Sequence, residues 1–400
     1  MAVRVFELKI NSKRLNKKQK EELEMMFLEG KRFYNFVLSE KKRREVRLND
    51  IVPTDIYEVI SLDKDKNKIT HELKYLPSHY KQTIHARMIS NEKTIRSLVK
   101  RGYQERGSLK FKSDLVCIPL KNMDWSFRSF SKVKIMGVSG KVHVRGADQV
   151  QEYCEFANAN LLRRADGFFL KITCYMSKDK ILEKTEKNGK EIGLDFGIKT
   201  NITTSEGKMF NTYVQESDRL KKLQRQLFRR KKGSKNRCKT IKLIGIEYQK
   251  MENKKQDLAN KVFHELRQYS RIYMQDENLS GWHQSEDKTI RSDVHHSFMG
   301  KVKAKLIQLP QTVVLDRFIP TTKLCTECGT VNKHITLSDR VFKCGCGCEE
   351  DRDIHAAKNM IKIAKSCFEN GFVPPEQREI TLMEFETSAG CSNAAGKSGR

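Results

Sequence analysis

The chain has 400 residues and carries 78 Lys and Arg against 50 Asp and Glu, a formal net charge of +28. Such an excess of positive charge favours a polyanionic partner, and nucleic acid before any other. A hydrophobic content of 38% excludes a mainly disordered chain. No run of about 18 apolar residues and no apolar signal core are present, so we expect an intracellular protein without a membrane span.

The first half of the sequence predicts a small β-barrel with helices inserted in it. Residues 3–10 alternate apolar and polar side chains, as a half-buried strand does. Amphipathic helices are predicted from Asn16 to about Leu38 and from about Ser78 to Lys100. Short β-like runs follow between Ser108 and Met176, and we expect the first strand to complete their barrel. A charged linker at 177–190 ends this half.

The second half alternates strands with helices, which predicts an α/β layer architecture. A meander of three strands begins at Lys190, and a charged helical region from about Glu216 to Tyr269 is broken at Gly233-Ser234. The later predicted elements are a strand at 271–277, a helix near 297–308 and a strand at 312–318. The end of the chain is polar and rich in Ser, Ala and Gly, so we expect a disordered tail.

Three acidic residues stand out in these elements. The apolar residues of Ile192-Gly-Leu-Asp-Phe-Gly share one strand face, which leaves Asp195 between two glycines on the other. Glycine on both sides would clear space for a ligand or a phosphate backbone. Glu277 ends the strand at 271–277, and Asp353 begins a helix, where an acid complements the helix dipole.

Each of these acids alone has an ordinary structural explanation as a turn residue, a surface charge or a helix cap. Together, three carboxylates on two strands and a helix are what two Mg²⁺ ions need as ligands. Two such ions stabilise the attacking water and the leaving oxygen of a phosphodiester. The pattern therefore predicts a two-metal phosphodiester site.

Five of the 11 cysteines fall between Cys325 and Cys348, directly before the last acid. Cys325-x-x-Cys328-Gly is an ordinary zinc knuckle, whereas Cys344, Cys346 and Cys348 offer three thiols where two are needed. Zinc takes four ligands tetrahedrally, so one thiol is spare. We predict a structural zinc ribbon. The six scattered cysteines suit buried or surface thiols in a reducing compartment.

Basic residues are concentrated between Arg219 and Lys242, more densely than on an ordinary solvated helix face. We predict that they contact phosphates, which would make binding depend steeply on salt. The predicted nucleic-acid-binding residues are Lys221, Lys222, Arg225, Arg229, Arg230, Lys231 and Lys232. Aromatic residues such as Trp125 and Phe127 are expected to pack in cores, and none is assigned to a base.

The order of these motifs resembles the RuvC nuclease of the transposon-encoded TnpB family and its relatives, the miniature type V CRISPR effectors. The resemblance covers nearly the whole chain and runs from Leu-Asp-Phe-Gly-Ile-Lys through Glu-Asn-Leu to Asp-Arg-Asp-Ile-His-Ala-Ala-Lys-Asn. It implies that Asp195, Glu277 and Asp353 are catalytic and hold two Mg²⁺ ions. His355 stands where the family usually has Asn, a departure that would bear on the support of Asp353.

The resemblance also places the last zinc ligand at Cys346, before a glycine and seven residues ahead of the last acid. We therefore expect one structural zinc on Cys325, Cys328, Cys344 and Cys346, with Cys348 as the substitute ligand.

The fold class that the resemblance implies is α+β and multidomain. Its N-terminal part would be a wedge-like β-barrel with an inserted helical recognition module, followed by an RNase H-like (RuvC) α/β nuclease domain with an inserted zinc ribbon. The implied boundaries are 1–13 and 104–180 for the wedge, 14–103 for the recognition module, 188–320 and 349–368 for the nuclease domain, 321–348 for the ribbon and 369–400 for the tail.

The implied activity is RNA-guided, Mg²⁺-dependent DNA cleavage, in which guide pairing reads the sequence and the protein reads shape and backbone. The implied partners are a guide RNA and target double-stranded DNA, with a monomer favoured and a location at the nucleoid of a prokaryote. A miniature CRISPR effector is one alternative, since genomic neighbourhood alone distinguishes it.

Two further alternatives differ in class. A guide-directed DNA-binding protein or transposition accessory factor would not cut, and the complete set of acids argues against it. A transposase that cuts and rejoins ends would use a covalent nucleophile, but His295-His296 lack the residue between the two histidines that such a motif has.

Overall fold

The computed structural model describes residues 2–62, 67–102, 106–150, 155–176, 187–197, 201–325, 327–336 and 339–370. The chain divides into two compact units, Met1–Glu183 and Lys184–Arg400. Mixed α/β content confirms the predicted class, whereas the domain boundaries stay predictions. Residues 177–186 of the predicted linker and residues 371–400 of the predicted tail lie outside the described residues.

The first unit is built on a seven-stranded antiparallel sheet that forms a half-barrel. Its strands are β1 (Ala2–Ile10), β4 (Cys117–Leu120), β5 (Trp125–Ser129), β6 (Lys132–Ile135), β7 (Val142–Arg145), β8 (Glu155–Arg164) and β9 (Gly167–Met176), and a separate hairpin holds β2 (Glu58–Leu62) and β3 (Lys68–Glu72). The sheet order is β4-β8-β9-β1-β7-β6-β5. The first strand therefore lies at the centre of the sheet, between β9 and β7, and does not close a barrel from its edge.

Two helices follow β1 in the chain and pack on this sheet: α1 (Lys17–Arg44) and α2 (Ser78–Lys100). Asn16 begins α1 with a capping box, because its Oδ1 accepts from the Gln19 backbone N–H at 2.7 Å and Gln19 Oε1 accepts from the Asn16 N–H at 3.2 Å. Phe27, Phe33 and Tyr80 are fully buried in the core that the helices and sheet share. Both helices were predicted. Among all the helices that the structure describes, none is long and apolar enough to cross a membrane.

The second unit contains a five-stranded mixed sheet of order β12-β11-β10-β13-β14. Its strands are β10 (Glu191–Gly197), β11 (Asn201–Thr204), β12 (Met209–Asn211), β13 (Arg271–Gln275) and β14 (Thr312–Leu315). The first three form the predicted antiparallel meander, while β10, β13 and β14 pair in parallel.

The helices of this unit are α3 (Asp218–Arg229), α4 (Lys235–Leu266), α5 (Leu279–Trp282), α6 (Lys288–His296), α7 (Met299–Leu306) and α8 (Arg352–Asn370). Between β14 and α8 the chain holds the cysteines and a small hairpin of β15 (Val341–Lys343) and β16 (Glu349–Asp351). The predicted break at Gly233-Ser234 is confirmed, since it separates α3 from α4.

The sheet of the second unit is covered on both faces. Ile192, Leu194 and Phe196 of β10 share a core with residues of α4 and α7. On the other face, Tyr273 of β13 packs with residues of α8 such as Met360. Alternation along β10 directs the side chain of Asp195 to the α8 face.

At Gly193 the backbone of α8 lies directly against the sheet. A Cβ built at Gly193 would lie 1.8 Å from the carbonyl oxygen of Ala357 and 2.8 Å from its carbonyl carbon. The sequence predicted that this glycine clears space for a ligand. The structure corrects that prediction, because the space is occupied by the backbone of α8.

Substitution of Gly193 by Ala is expected to lower the free energy of unfolding by about 3 kcal/mol or more, because the added methyl group overlaps backbone atoms that cannot move aside alone. Chemical denaturation measures this change. Gly300→Ala is the matched control, since its Cβ would meet only Leu279 Cδ1 at 3.7 Å. A Gly193→Ala protein as stable as the Gly300→Ala protein would contradict this packing of α8 on the sheet.

Candidate functional site

Asp195 is the most deeply buried of the three predicted catalytic acids. Asp195 is only 9% exposed. Burial raises the pKa of its carboxyl group to about 7, and the carboxylates of Asp353 and Glu277 add to the rise. Arg352 acts in the opposite direction. The fold therefore brings the three acids, which are distant in the sequence, into one electrostatic site.

Glu277 lies in the turn after β13, since the strand ends at Gln275 rather than at 277 as predicted. Burial raises its pKa, Asp276 adds to the rise, and Lys303 opposes it. Lys303 Nζ donates to the backbone oxygen of Glu277 at 2.7 Å and to Asp276 Oδ1 at 3.3 Å. Arg317 also binds Asp276, so the two cations hold this turn in place.

Gln275 fixes the end of β13 and was not assigned a role from the sequence. The residue is 4% exposed, and its Nε2 donates to the backbone oxygens of Asp316 at 2.9 Å and Ile319 at 2.7 Å. Thr321 Oγ1 donates to Gln275 Oε1 at 3.1 Å. This buried network ties the strand that leads to Glu277 to the segment that leads into the cysteines. A polar residue at the end of the buried run Ile272-Tyr273-Met274 is the signal that could have found it.

Asp353 is the second residue of α8, so it lies in the first turn of a helix as predicted, and the ordinary explanation as a cap does not apply to it. Asp351 Oδ1 accepts from the backbone N–H groups of Asp353 at 3.0 Å and Ile354 at 3.1 Å. The Asp353 carboxylate instead faces two guanidinium groups, with Oδ1 accepting from Arg352 Nη2 at 3.3 Å and Oδ2 lying 3.9 Å from Arg340 Nη1. Its side chain is 24% exposed, so it can reach a ligand.

His355 ties α8 to the cysteine-bearing segment. It is 3% exposed, its Nε2 donates to the Leu324 backbone oxygen at 3.0 Å, and its ring stacks on Phe342 with 3.7 Å between centroids. Asn359 Nδ2 donates to the same Leu324 oxygen at 2.7 Å. Within the described part of the chain, the contacts of His355 are with this segment and not with Asp353.

Four cysteines meet in the predicted zinc ribbon. The sulfur atoms of Cys325, Cys328, Cys344 and Cys346 all lie within 4.8 Å of one another. The Sγ atoms of Cys325 and Cys346 are 3.7 Å apart, and those of Cys328 and Cys344 are 3.5 Å apart. Zn–S bonds of about 2.3 Å in a tetrahedron require sulfur atoms about 3.8 Å apart, so this cluster can hold a zinc ion.

The fifth cysteine of the ribbon, Cys348, lies in its hairpin and is not a member of this group. Its backbone oxygen accepts from the Cys344 N–H at 2.9 Å. The two knuckle loops are closed by glycines with positive φ, Gly329 at 73° and Gly347 at 93°. Each glycine N–H donates to the carbonyl of the first cysteine of its loop, at 2.8 Å and 3.0 Å. Glycine adopts this backbone conformation without strain.

The predicted nucleic-acid-binding residues lie on a helical hairpin, residues 218–244, which we call the basic hairpin. Leu220, Leu223 and Ile244 form its small core. Six of the seven predicted residues are exposed there: Lys221, Lys222, Arg225, Arg229, Lys231 and Lys232.

Arg230 differs from the other six. It is half-buried, and its Nη1 donates to the backbone oxygen of Asn236 at 2.5 Å and to Thr240 Oγ1. These contacts close the turn between α3 and α4. Phe228, to which the sequence assigned no role, is 92% exposed among the cations. An aromatic residue inside a basic run is the signal that could have found it.

Two family models match successive parts of the chain. The model described as "Probable transposase" matches residues 172–274, which include Asp195. The model described as "Cas12f1-like, TNB domain" matches residues 295–360, which include the four clustered cysteines and Asp353.

Two curated proteins are similar to the chain. A protein of Streptomyces pristinaespiralis named "Putative RNA-guided DNA endonuclease" is 28% identical over 237 residues, which are 54% of this chain and 56% of the relative. The "Putative transposase R186" of Acanthamoeba polyphaga mimivirus is 26% identical over 242 residues, which are 49% of this chain and 50% of the relative. The chain thus spans about half the length of the curated relatives it matches.

A solved structure titled "Cryo-EM structure of the Cas12f1-sgRNA-target DNA complex" aligns with 90% of this chain and 98% of its own, at 12% identity and a TM-score of 0.45. A likeness at these values is too weak to assign a function. The two family models and the curated relatives, in contrast, agree with the resemblance of the motifs to the TnpB proteins and the miniature type V effectors.

Proposed function

We propose that the chain is an RNA-guided DNA endonuclease of the TnpB type, with Asp195, Glu277 and Asp353 in a single RuvC-like centre. The observation that carries the proposal is the buried carboxylate of Asp195, whose pKa burial and the other two acids together raise to about 7. Such a grouping of like charges is unfavourable unless a cation joins it. The name of the Streptomyces relative supports the same activity.

The donor set fits Mg²⁺, which prefers hard oxygen ligands. Among the described residues, the three carboxylates are spaced more widely than the four sulfurs, since they do not form a group with all ligand atoms within 4.8 Å. Mg²⁺ does not need a closed protein cage, because substrate phosphates and water supply part of its shell. When bound, two such ions would stabilise the attacking and leaving oxygens.

The side chains around the acids position them and set their charge. Lys303 holds the turn that carries Glu277, and Arg352 offsets the charge at both Asp195 and Asp353. Because burial and the neighbouring carboxylates raise the pKa of Asp195, its carboxyl group becomes a better cation ligand as pH rises.

The zinc ribbon is proposed to be structural. It lies between β14 and α8, and β16 of the ribbon runs directly into α8 at Arg352. A closed set of four sulfur ligands leaves no position for water or substrate. Its contribution would be to hold the start of α8, and with it Asp353.

The guide RNA and the target DNA are the proposed partners, and the exposed cations of the basic hairpin are proposed to contact phosphates. Six exposed Lys and Arg side chains on one hairpin form a surface that suits a nucleic-acid backbone. Arg230 is excluded from this role because its guanidinium bonds within the hairpin.

Asp195→Ala and Asp353→Asn are each expected to lower cleavage of a guide-matched DNA by about a hundredfold or more, because each removes a ligand for the charge that develops in the transition state. Guide RNA binding should stay unchanged in a gel-shift assay. Asp276→Asn is the matched control and should cut within about tenfold of wild type, since the amide oxygen keeps one of the two bonds and Lys303 still donates to the Glu277 backbone oxygen. Persistent cutting by Asp195→Ala would refute the assignment.

Metal analysis of the purified protein tests the ribbon. Wild type and Cys348→Ser are expected to hold about one zinc ion per chain, whereas Cys328→Ser and Cys346→Ser should lose it, because tetrahedral zinc needs all four sulfur ligands. Zinc retained by Cys346→Ser but lost from Cys348→Ser would show that Cys348, and not Cys346, is the fourth ligand. Absence of zinc from the wild-type protein would exclude the cysteine cluster as a zinc site.

A variant with Lys221, Lys222, Lys231 and Lys232 all changed to Gln tests the basic hairpin. The log–log slope of RNA or DNA affinity against salt should flatten by about 0.7 to 0.9 for each phosphate that the variant no longer neutralises. Arg230→Gln is the contrasting variant: it should lower the unfolding temperature and leave the salt slope unchanged. An unchanged slope in the fourfold variant would exclude the hairpin from phosphate binding.

A further inference from the structure

An aromatic cavity in the first unit has no part in the proposed cleavage, and we propose that it binds one unpaired base of a nucleic-acid strand. The inference rests on the proposed function only in requiring that the chain binds nucleic acid, because it needs neither the three acids nor cutting. The cavity has a volume of about 770 Å³, within the range of about 300 to 1,000 Å³ that is typical of small-ligand pockets.

Three aromatic side chains form one wall of this cavity. The ring centroids of Trp125 and Phe156 are 5.4 Å apart at 73°, and those of Trp125 and Phe127 are 5.8 Å apart at 76°. Phe156 and Phe127 meet at 5.5 Å and 45°. Because the rings meet edge to face or tilted, they do not cover one another as a parallel stack would. Phe156 is 37% exposed, so aromatic surface is open for a base to stack on.

The second observation is a buried donor without an acceptor. Trp125 is 5% exposed, and its indole Nε1 has no hydrogen-bond partner within the described part of the chain. An unpaired buried N–H is unfavourable. Each nucleobase carries carbonyl oxygens or ring nitrogens that accept such a bond, so a base that displaces the side chains covering the indole N–H would satisfy it.

The polar part of the lining fits the rest of a nucleotide. Lys121 lines the cavity, and its Nζ donates to the neutral Gln82 Oε1 at 2.9 Å, which leaves the ammonium charge uncompensated by that contact. Asn122 and Asn158 also line the cavity and bring amide donors and acceptors. A flat aromatic ligand with acceptors at its edge and an attached phosphate matches all three features.

The two tryptophans of the chain allow a direct measurement. In a Trp282→Phe background, Trp125 is the fluorescent reporter, and the probes are an adenylate RNA decamer, the matching DNA decamer and an abasic decamer of equal charge. The base-containing decamers are expected to quench Trp125 emission, because stacking places a base against the ring, and the abasic decamer is not. Quenching by the RNA decamer alone would show that the cavity selects a base of RNA. Quenching by both decamers would show that it accepts a base of either RNA or DNA.

Phe156→Ala should weaken the affinity measured by quenching about tenfold, while Phe156→Tyr should keep it, since stacking needs a ring at this position. Phe130→Ala is the matched control, because Phe130 is 72% exposed and does not line the cavity. Thermal unfolding of each variant verifies its fold. Equal responses to abasic and base-containing strands, or wild-type affinity in folded Phe156→Ala, would overturn the inference. Asp195→Ala should show normal quenching, which separates failure of this inference from failure of the proposed cleavage.

Discussion

The contact between Gly193 of β10 and Ala357 of α8 determines where α8 lies on the sheet of the second unit. The carbonyl of Ala357 occupies the space that any side chain at position 193 would need. Asp195 is two residues further along the same strand face, and Asp353 is four residues earlier on the same helix face. One backbone contact therefore sets the separation of Asp195 and Asp353. A residue larger than glycine at position 193 would push α8 away from the sheet and displace Asp353 from Asp195.

Two kinds of ligand chemistry lie close together in the chain without competing. Thiolate sulfur selects zinc, whereas carboxylate oxygen suits magnesium, so the cysteine cluster and the acids favour different metal ions. The connection between them is mechanical. His355 and Asn359 of α8 bond to Leu324 at the base of the ribbon, and Gln275 bonds to Ile319 just before it. These buried bonds are short-range and directional, so they transmit the position of the ribbon to the acids.

Local patterns predicted what local physics determines. The helix that begins near Asn16, the meander and the Cys325-x-x-Cys328 knuckle depend on neighbouring residues, and the structure contains each of them. Strands β2, β3, β5 and β8 were not predicted, although each pairs with a strand that is near it in sequence. Strand preference depends on the side chains that a strand meets in the folded sheet, and these do not follow from the local pattern. The central place of β1, the capping bonds of Asp351 and the internal bonds of Arg230 were not predicted either. Trp125 was expected in a core, and it is buried, but that its N–H lacks a partner among the described residues is visible only in three dimensions.

The order of the site's parts along the chain has a consequence for synthesis. Asp195 is on the first strand of the second unit, whereas Asp353 comes only after the cysteine ribbon. A protein emerging from the ribosome folds from its N-terminal side first, so the sheet is exposed to the cell before the helix that covers it has been made. A nascent chain thus carries two of the three acids and an open groove along Gly193. The proposed site is therefore complete only after the ribbon has emerged and α8 has docked on the sheet.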